Sequence, residues 1–184
     1  MVHCWRENAK NKSRGLRDTV STSCFVPKPH TAFQWEPQVT REEYLRRVTL
    51  LRDNMKAKAV TYNWHDPETS YTEAVLSRGD RRLGALIEGI WRRGGYLESW
   101  SEGFSLQRWE EAAAECGLDL DFYATRRRGE DECLPWDRLN MGVTKEFLLR
   151  EKHQAEAGSL SPDCRHGCSG CGAAKFLKEG KCHG

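Results

Sequence analysis

Thr19-Val-Ser-Thr-Ser-Cys-Phe-Val26 is dense in β-branched residues and runs into Pro27 and Pro29, which cannot donate to a ladder, so the pattern predicts a strand at about 19–26. Pro27, Pro29 and Pro37 then hold the chain extended, leaving Phe33 and Trp35 in need of apolar cover. Thr40-x-x-Glu43 is a capping box, and Tyr44, Val48, Leu51 and Met55 recur behind it at helical spacing, which predicts a helix over 41–57. The β-prone Ala59-Val-Thr-Tyr-Asn63 follows after very few residues and reads as a second strand. Strand, helix, strand is a βα-type return, and only helical patterns come after it.

Ser70-x-x-Glu73 forms a second capping box, and Asp80 can cap a further helix whose Leu83, Leu86, Ile87, Ile90 and Trp91 make an apolar stripe that stops at Gly94-Gly95. Ser105 can cap a helix carrying Trp109, Ala112, Ala113 and Cys116, closed by Gly117. Thr144 can start another, with Phe147, Leu148 and Glu151. The fold class expected is α+β and mainly helical.

At 184 residues the chain holds one modest core, and 29 basic against 27 acidic side chains give a net charge of +2, so no long-range field draws it onto nucleic acid. No run approaches the ~20 apolar residues of a membrane span, and the first residues lack an apolar signal core, which points to the cytoplasm. Of eight cysteines, Cys4, Cys24, Cys116 and Cys133 are far apart, whereas Cys164, Cys168 and Cys171 share one short run. That clustering favours a metal or iron–sulfur ligand set over a disulfide framework.

Thiolates are soft anionic donors, and Gly167, Gly170 and Gly172 give the backbone freedom to wrap three of them around one centre. A zinc site needs a fourth donor, which Cys182, His183 or His166 could supply; a four-iron cluster on three cysteines leaves one iron open. The spacing C-x3-C-x2-C is also the one by which radical S-adenosylmethionine enzymes hold the cluster that cleaves their cosubstrate. Those enzymes place it after the first strand of a βα barrel with an aromatic residue before the last cysteine. Here Gly170 stands at that place and thirteen residues follow Cys171.

Phe25-Val-Pro-Lys-Pro-His-Thr-Ala-Phe-Gln-Trp35, Leu76-Ser-Arg-Gly-Asp-Arg-Arg-Leu83, Leu134-Pro-Trp-Asp137 and the terminal cysteines together resemble the radical S-adenosylmethionine proteins that carry an N-terminal cobalamin-binding domain. The resemblance runs from about residue 19 to about 174. It implies a lead-in at 1–18, a strand-containing remnant of the barrel end at 19–63, a helical C-terminal domain at 64–158 and a cysteine-rich metal-binding tail at 159–184. It further implies an auxiliary iron–sulfur cluster, of the four-iron type, on Cys164, Cys168 and Cys171, with zinc as the alternative metal and Cys182 as a candidate fourth ligand. The cobalamin domain and the barrel's own cluster motif are missing ahead of Met1, so the expected partner is a separately encoded N-terminal portion. S-adenosylmethionine and cobalamin are expected only in a full-length member, and this chain alone is not expected to cleave S-adenosylmethionine. A zinc-stabilised, non-catalytic binding module is the competing reading, and a mis-started reading frame is a third.

By the resemblance, His30 at the strand exit could face the cosubstrate or substrate; it could also simply fasten its loop. Arg78, Asp80, Arg81 and Arg82 straddle a helix start and could hold an anion, or form a salt-bridged cap. Arg126-Arg-Arg128 beside Glu130-Asp-Glu132 reads as a self-neutralising solvated loop. Trp91 and Trp109 fall on apolar stripes and are expected in the core rather than on a base-stacking surface. Leu134-Pro-Trp-Asp137 is expected to be a turn that tucks Trp136 against the helices, with Asp137 capping or pairing.

Overall fold

The computed structural model describes residues 17–176. Strand β1 (Asp18–Thr22) leads through the proline loop to helix α1 (Arg41–Asn54) and strand β2 (Val60–Trp64). Helices α2 (Pro67–Ser77), α3 (Leu83–Arg92), α4 (Leu106–Glu115), α5 (Leu120–Ala124) and α6 (Lys145–Glu156) follow, and a 3₁₀ turn covers Ala173–Phe176. The described chain is therefore α+β and mainly helical.

β1 and β2 pair in parallel, Asp18 against Val60 through Thr22 against Trp64, with α1 as the crossover. β1 is shorter than its sequence pattern because its partner ends at Trp64; residues 23–26 run on extended without a ladder. The Thr22 hydroxyl and the Tyr62 hydroxyl meet at 2.7 Å across the pair. Helix α1 begins as its cap dictates, the Thr40 hydroxyl accepting the Glu43 amide, but the Glu43 carboxylate turns outward to Arg46 and Arg47 instead of closing the box. Those two guanidinium groups hold the Glu43 carboxyl well down, to about 2.

The helix placed after Ser70 starts a turn earlier. Asp66 caps it, accepting the amides of Glu68 and Thr69, and Pro67 occupies the first helical position, where its missing N–H costs nothing. Ser70 sits inside the first turn, its hydroxyl donating to the Asp66 carbonyl. Asp66-Pro67 outcompetes Ser70 because it combines a carboxylate cap with a pre-set φ.

The main core joins α2 to α5. Leu83, Leu86 and Ile90 of α3 meet Leu106, Trp109, Ala112 and Ala113 of α4, while Ala74, Val75, Leu120, Tyr123 and Ala124 close it from α2 and α5. Small residues set the α3–α4 distance: a Cβ on Gly89 would lie 3.3 Å from that of Ala112. Trp109 is buried as expected, its indole N–H donating to Glu98 at 3.1 Å. Ile87 and Trp91 are corrections, for they lie 53% and 66% exposed. A stripe two residues wide suffices to pack α3, and the i+1 neighbours of Leu86 and Ile90 turn away from it. Short α5, capped by Asp119, was not foreseen; at five residues it is too brief to show periodicity.

A second cluster gathers Trp35, Leu134, Trp136 and Leu148. This is the cover that Trp35 required, whereas Phe33 stays at the surface edge-on to Phe25. The 134–137 turn forms as expected, with Asp137 accepting the Leu134 amide at 2.8 Å and the Trp136 N–H donating to Gln34 at 2.7 Å.

The 126–132 segment is not a solvated loop. Arg128 is 3% exposed and donates to the Arg78 carbonyl; Arg126 forks onto Glu132; Arg127 pairs with Glu36. Lys152 of α6, itself buried, reaches Glu130 at 2.8 Å and Glu156 at 2.7 Å. Ion pairs within the segment and to Glu36 and Lys152, with the Arg128 contact to the Arg78 carbonyl, make it the joint between the two clusters.

Candidate metal centre

The cysteine run is docked rather than loose. The Thr144 amide, at the start of α6, donates to the Cys171 carbonyl at 2.9 Å, and the Arg150 guanidinium farther along the helix donates to the Ser169 carbonyl. Gly172 has φ +97°, and a Cβ there would lie 2.7 Å from the Gly142 carbonyl, so only glycine allows this approach. The Phe176 ring covers Gly142, itself at φ +88°.

Within the turn, the Gly170 amide points at the Cys168 sulfur and the Ala173 amide at the Cys171 sulfur, each at 3.4 Å. Backbone N–H groups aimed at sulfur stabilise thiolate charge and tune a bound metal. Gly167 and Gly170 adopt positive φ on either side of Cys168. Cys164 and Cys168 are exposed and Cys171 half-buried. Among the described residues no three His, Cys, Asp or Glu side chains converge as a metal-holding group, so the thiols of this run are not gathered on one point. The donor chemistry of the Cys168–Cys171 turn fits a thiolate-bound metal. His166 lies in the same exposed loop, while Cys182 and His183 fall outside the described residues.

The remaining candidates separate. His30 sits at φ +55°, its amide donates to Gln34 at 2.9 Å, and its Nε2 is buried without a partner. Thus the backbone of His30, not its ring, fastens the loop. Asp80 accepts the Arg82 amide at 2.9 Å and the Arg82 side chain as well, which keeps the Asp80 carboxyl below its ordinary range. That is a salt-bridged turn just ahead of α3 rather than its cap: the N-cap is Arg82, which takes no side-chain cap bond, and the amides of Leu83, Gly84 and Ala85 donate to the carbonyls of Asp80, Arg81 and Arg82. Arg78 is fully buried, both terminal nitrogens donating to carbonyls, of Ala124 and of Arg126. Arg81 stays exposed. Arg128, Gln34 and Thr144 carry joints that sequence pattern did not signal, because their partners lie on distant segments. Burial pushes the Cys24 thiol above its ordinary range.

No family model, no curated protein and no solved structure matches the chain. No helix among the described residues is long and apolar enough to cross a membrane.

Proposed function

We propose that this chain is the C-terminal segment of a radical S-adenosylmethionine iron–sulfur protein of the cobalamin-binding type, and that it contributes an auxiliary cluster and the helical domain beside it. The observation that carries this reading is the docked turn whose amides face the sulfurs of Cys168 and Cys171. Cys164, Cys168 and Cys171 would hold the cluster, which when bound supplies electron relay or an open iron for substrate. Thr144 and Arg150 anchor the turn by its carbonyls, so the ligands stay tied to α6.

The two-stranded sheet supports the same reading. Parallel strands are found in sheets of several strands with both faces covered, and a lone pair is marginal. β1 and β2 are bonded only to each other among the described residues, and Trp64 is 41% exposed. A βαβ unit with open edges suits the end of a larger α/β sheet, whose remaining strands a barrel portion would bring. A zinc-stabilised binding module is the second reading, favoured by the thin apolar contact of the tail, where a metal cross-link would add folding free energy.

Anaerobic reconstitution with iron and sulfide tests the choice. A brown protein that holds both, and loses both when Cys164, Cys168 and Cys171 become alanine, supports the cluster. A colourless protein with one tightly held zinc transfers the assignment to the binding module, and material holding neither metal overturns both.

A further inference from the structure

Three segments far apart in the chain line one cavity of about 890 Å³: Pro29 after β1, Asp80, Arg81 and Arg82 between α2 and α3, and Trp136 and Arg138 ahead of α6. That volume lies in the range of about 300–1,000 Å³ typical of small-molecule sites. Arg82 is closed on Asp80, so this pair contributes no net charge. No hydrogen bond or ion pair among the described residues engages the side chain of Arg81 or of Arg138, and these two guanidinium groups leave the cavity positive.

The wall behind it is positive too. The Arg128 guanidinium lies 4.9 Å over the Trp136 ring, almost wholly buried, with its Nε unpartnered. Arg78, fully buried beside Ser77 and Gly79 of the cavity wall, is held by main-chain carbonyls alone. Neither has a carboxylate at ion-pair distance among the described residues, because Glu132 is taken by Arg126 and Glu36 by Arg127. Burial, with Arg128 and Arg126 close by, lowers Arg78 to about 10. Desolvated cations behind a low-dielectric wall reinforce the field of exposed ones in front of it.

We propose that this cavity binds a phosphorylated small molecule, its phosphate between Arg81 and Arg138 and its less polar body against Pro29, Pro135 and Leu139. Two unpaired forks suit a dianion with three oxygens, since guanidinium pairs bidentately with phosphate. The overall charge of only +2, with Arg82 of the lining already neutralised by Asp80, selects a compact anion over a nucleic-acid strand.

Calorimetric titration of the full chain with pyrophosphate, at about 150 mM salt to screen diffuse attraction, tests this. Saturable one-site binding is expected, weakened at least about tenfold in the Arg81→Gln/Arg138→Gln double variant, as loss of charged hydrogen bonds requires. Arg92→Gln, which removes an exposed arginine paired to Glu88, should bind as the parent does. Circular dichroism of the double variant distinguishes a lost site from a lost fold. Absence of saturable binding, equal binding by a folded double variant, or tighter binding of citrate than of pyrophosphate overturns the proposal.

Discussion

Replacing Arg78 by lysine should destabilise the protein although charge and much of the side-chain length are kept. The guanidinium bridges two carbonyls, of Ala124 and Arg126, from a fully buried position, and thereby ties the end of α2 to the end of α5. An ammonium is a point donor and reaches one of these acceptors in good geometry, leaving the other buried without a partner. An orphaned buried acceptor costs about 1–3 kcal/mol, and a hydrogen bond to a charged group contributes about 1.5–3 kcal/mol. About 2–3 kcal/mol is therefore expected for Arg78→Lys, and about 3–5 kcal/mol for Arg78→Ala, where lost packing adds to the cost and relief of repulsion from Arg128 offsets part of it. Urea unfolding followed by tryptophan fluorescence should show a lower midpoint with an unchanged slope. A lysine variant within about 0.5 kcal/mol of the parent, the range of changes at uninvolved surface positions, would show that the bridge does not join α2 to α5 and would refute this account of Arg78.

Leu86→Ala should cost about 2–5 kcal/mol because Leu86 is fully buried against α4, whereas Ile87→Ala, on the open side of α3, should stay within about 0.5 kcal/mol by the same urea assay. Gly172→Ala should release the cysteine turn from α6, since φ +97° and the nearby Gly142 carbonyl exclude a Cβ; faster tryptic cleavage after Arg165 is the readout, and unchanged cleavage would count against docking. Acid should weaken the fold through Asp80, Glu130 and Glu132, whose carboxyls are held below their ordinary range by Arg82, Lys152 and Arg126 respectively. A depressed folded pKa adds stability that is complete above the unfolded value, about 4, and is lost as pH falls through the folded one. The urea midpoint should therefore be flat from pH 7 to 5 and drop below pH 4, less steeply in Glu132→Gln.

Local chemistry made much of the secondary structure legible. Thr40, Ser105 and Thr144 each cap the helix their hydroxyls announce, because a cap needs only an acceptor and an amide two or three residues on. The second strand was legible as a βα-type return because few residues separate it from the end of α1, whereas its parallel register against β1 came only with the structure. The cysteine run could be read as a donor set, though only tertiary contact tied it to α6 through Thr144 and Arg150. Depth of burial was different. Trp91 and Trp109 occupy equivalent stripe positions, yet Trp91 meets solvent and Trp109 meets α3, since width of contact depends on what packs opposite.

Composition and caps are properties of neighbours along the chain, and by themselves they determined the α+β class and the starts of α1, α4 and α6. Which charges are buried is a property of neighbours in space. Arg128 lies within a run of mixed charge that looks solvated, and it is buried because Arg78 and Trp136, 50 and 8 residues away, fold over it. The cavity between Arg81 and Arg138 arises in the same way, since no local pattern records that two distant arginines are left without a carboxylate.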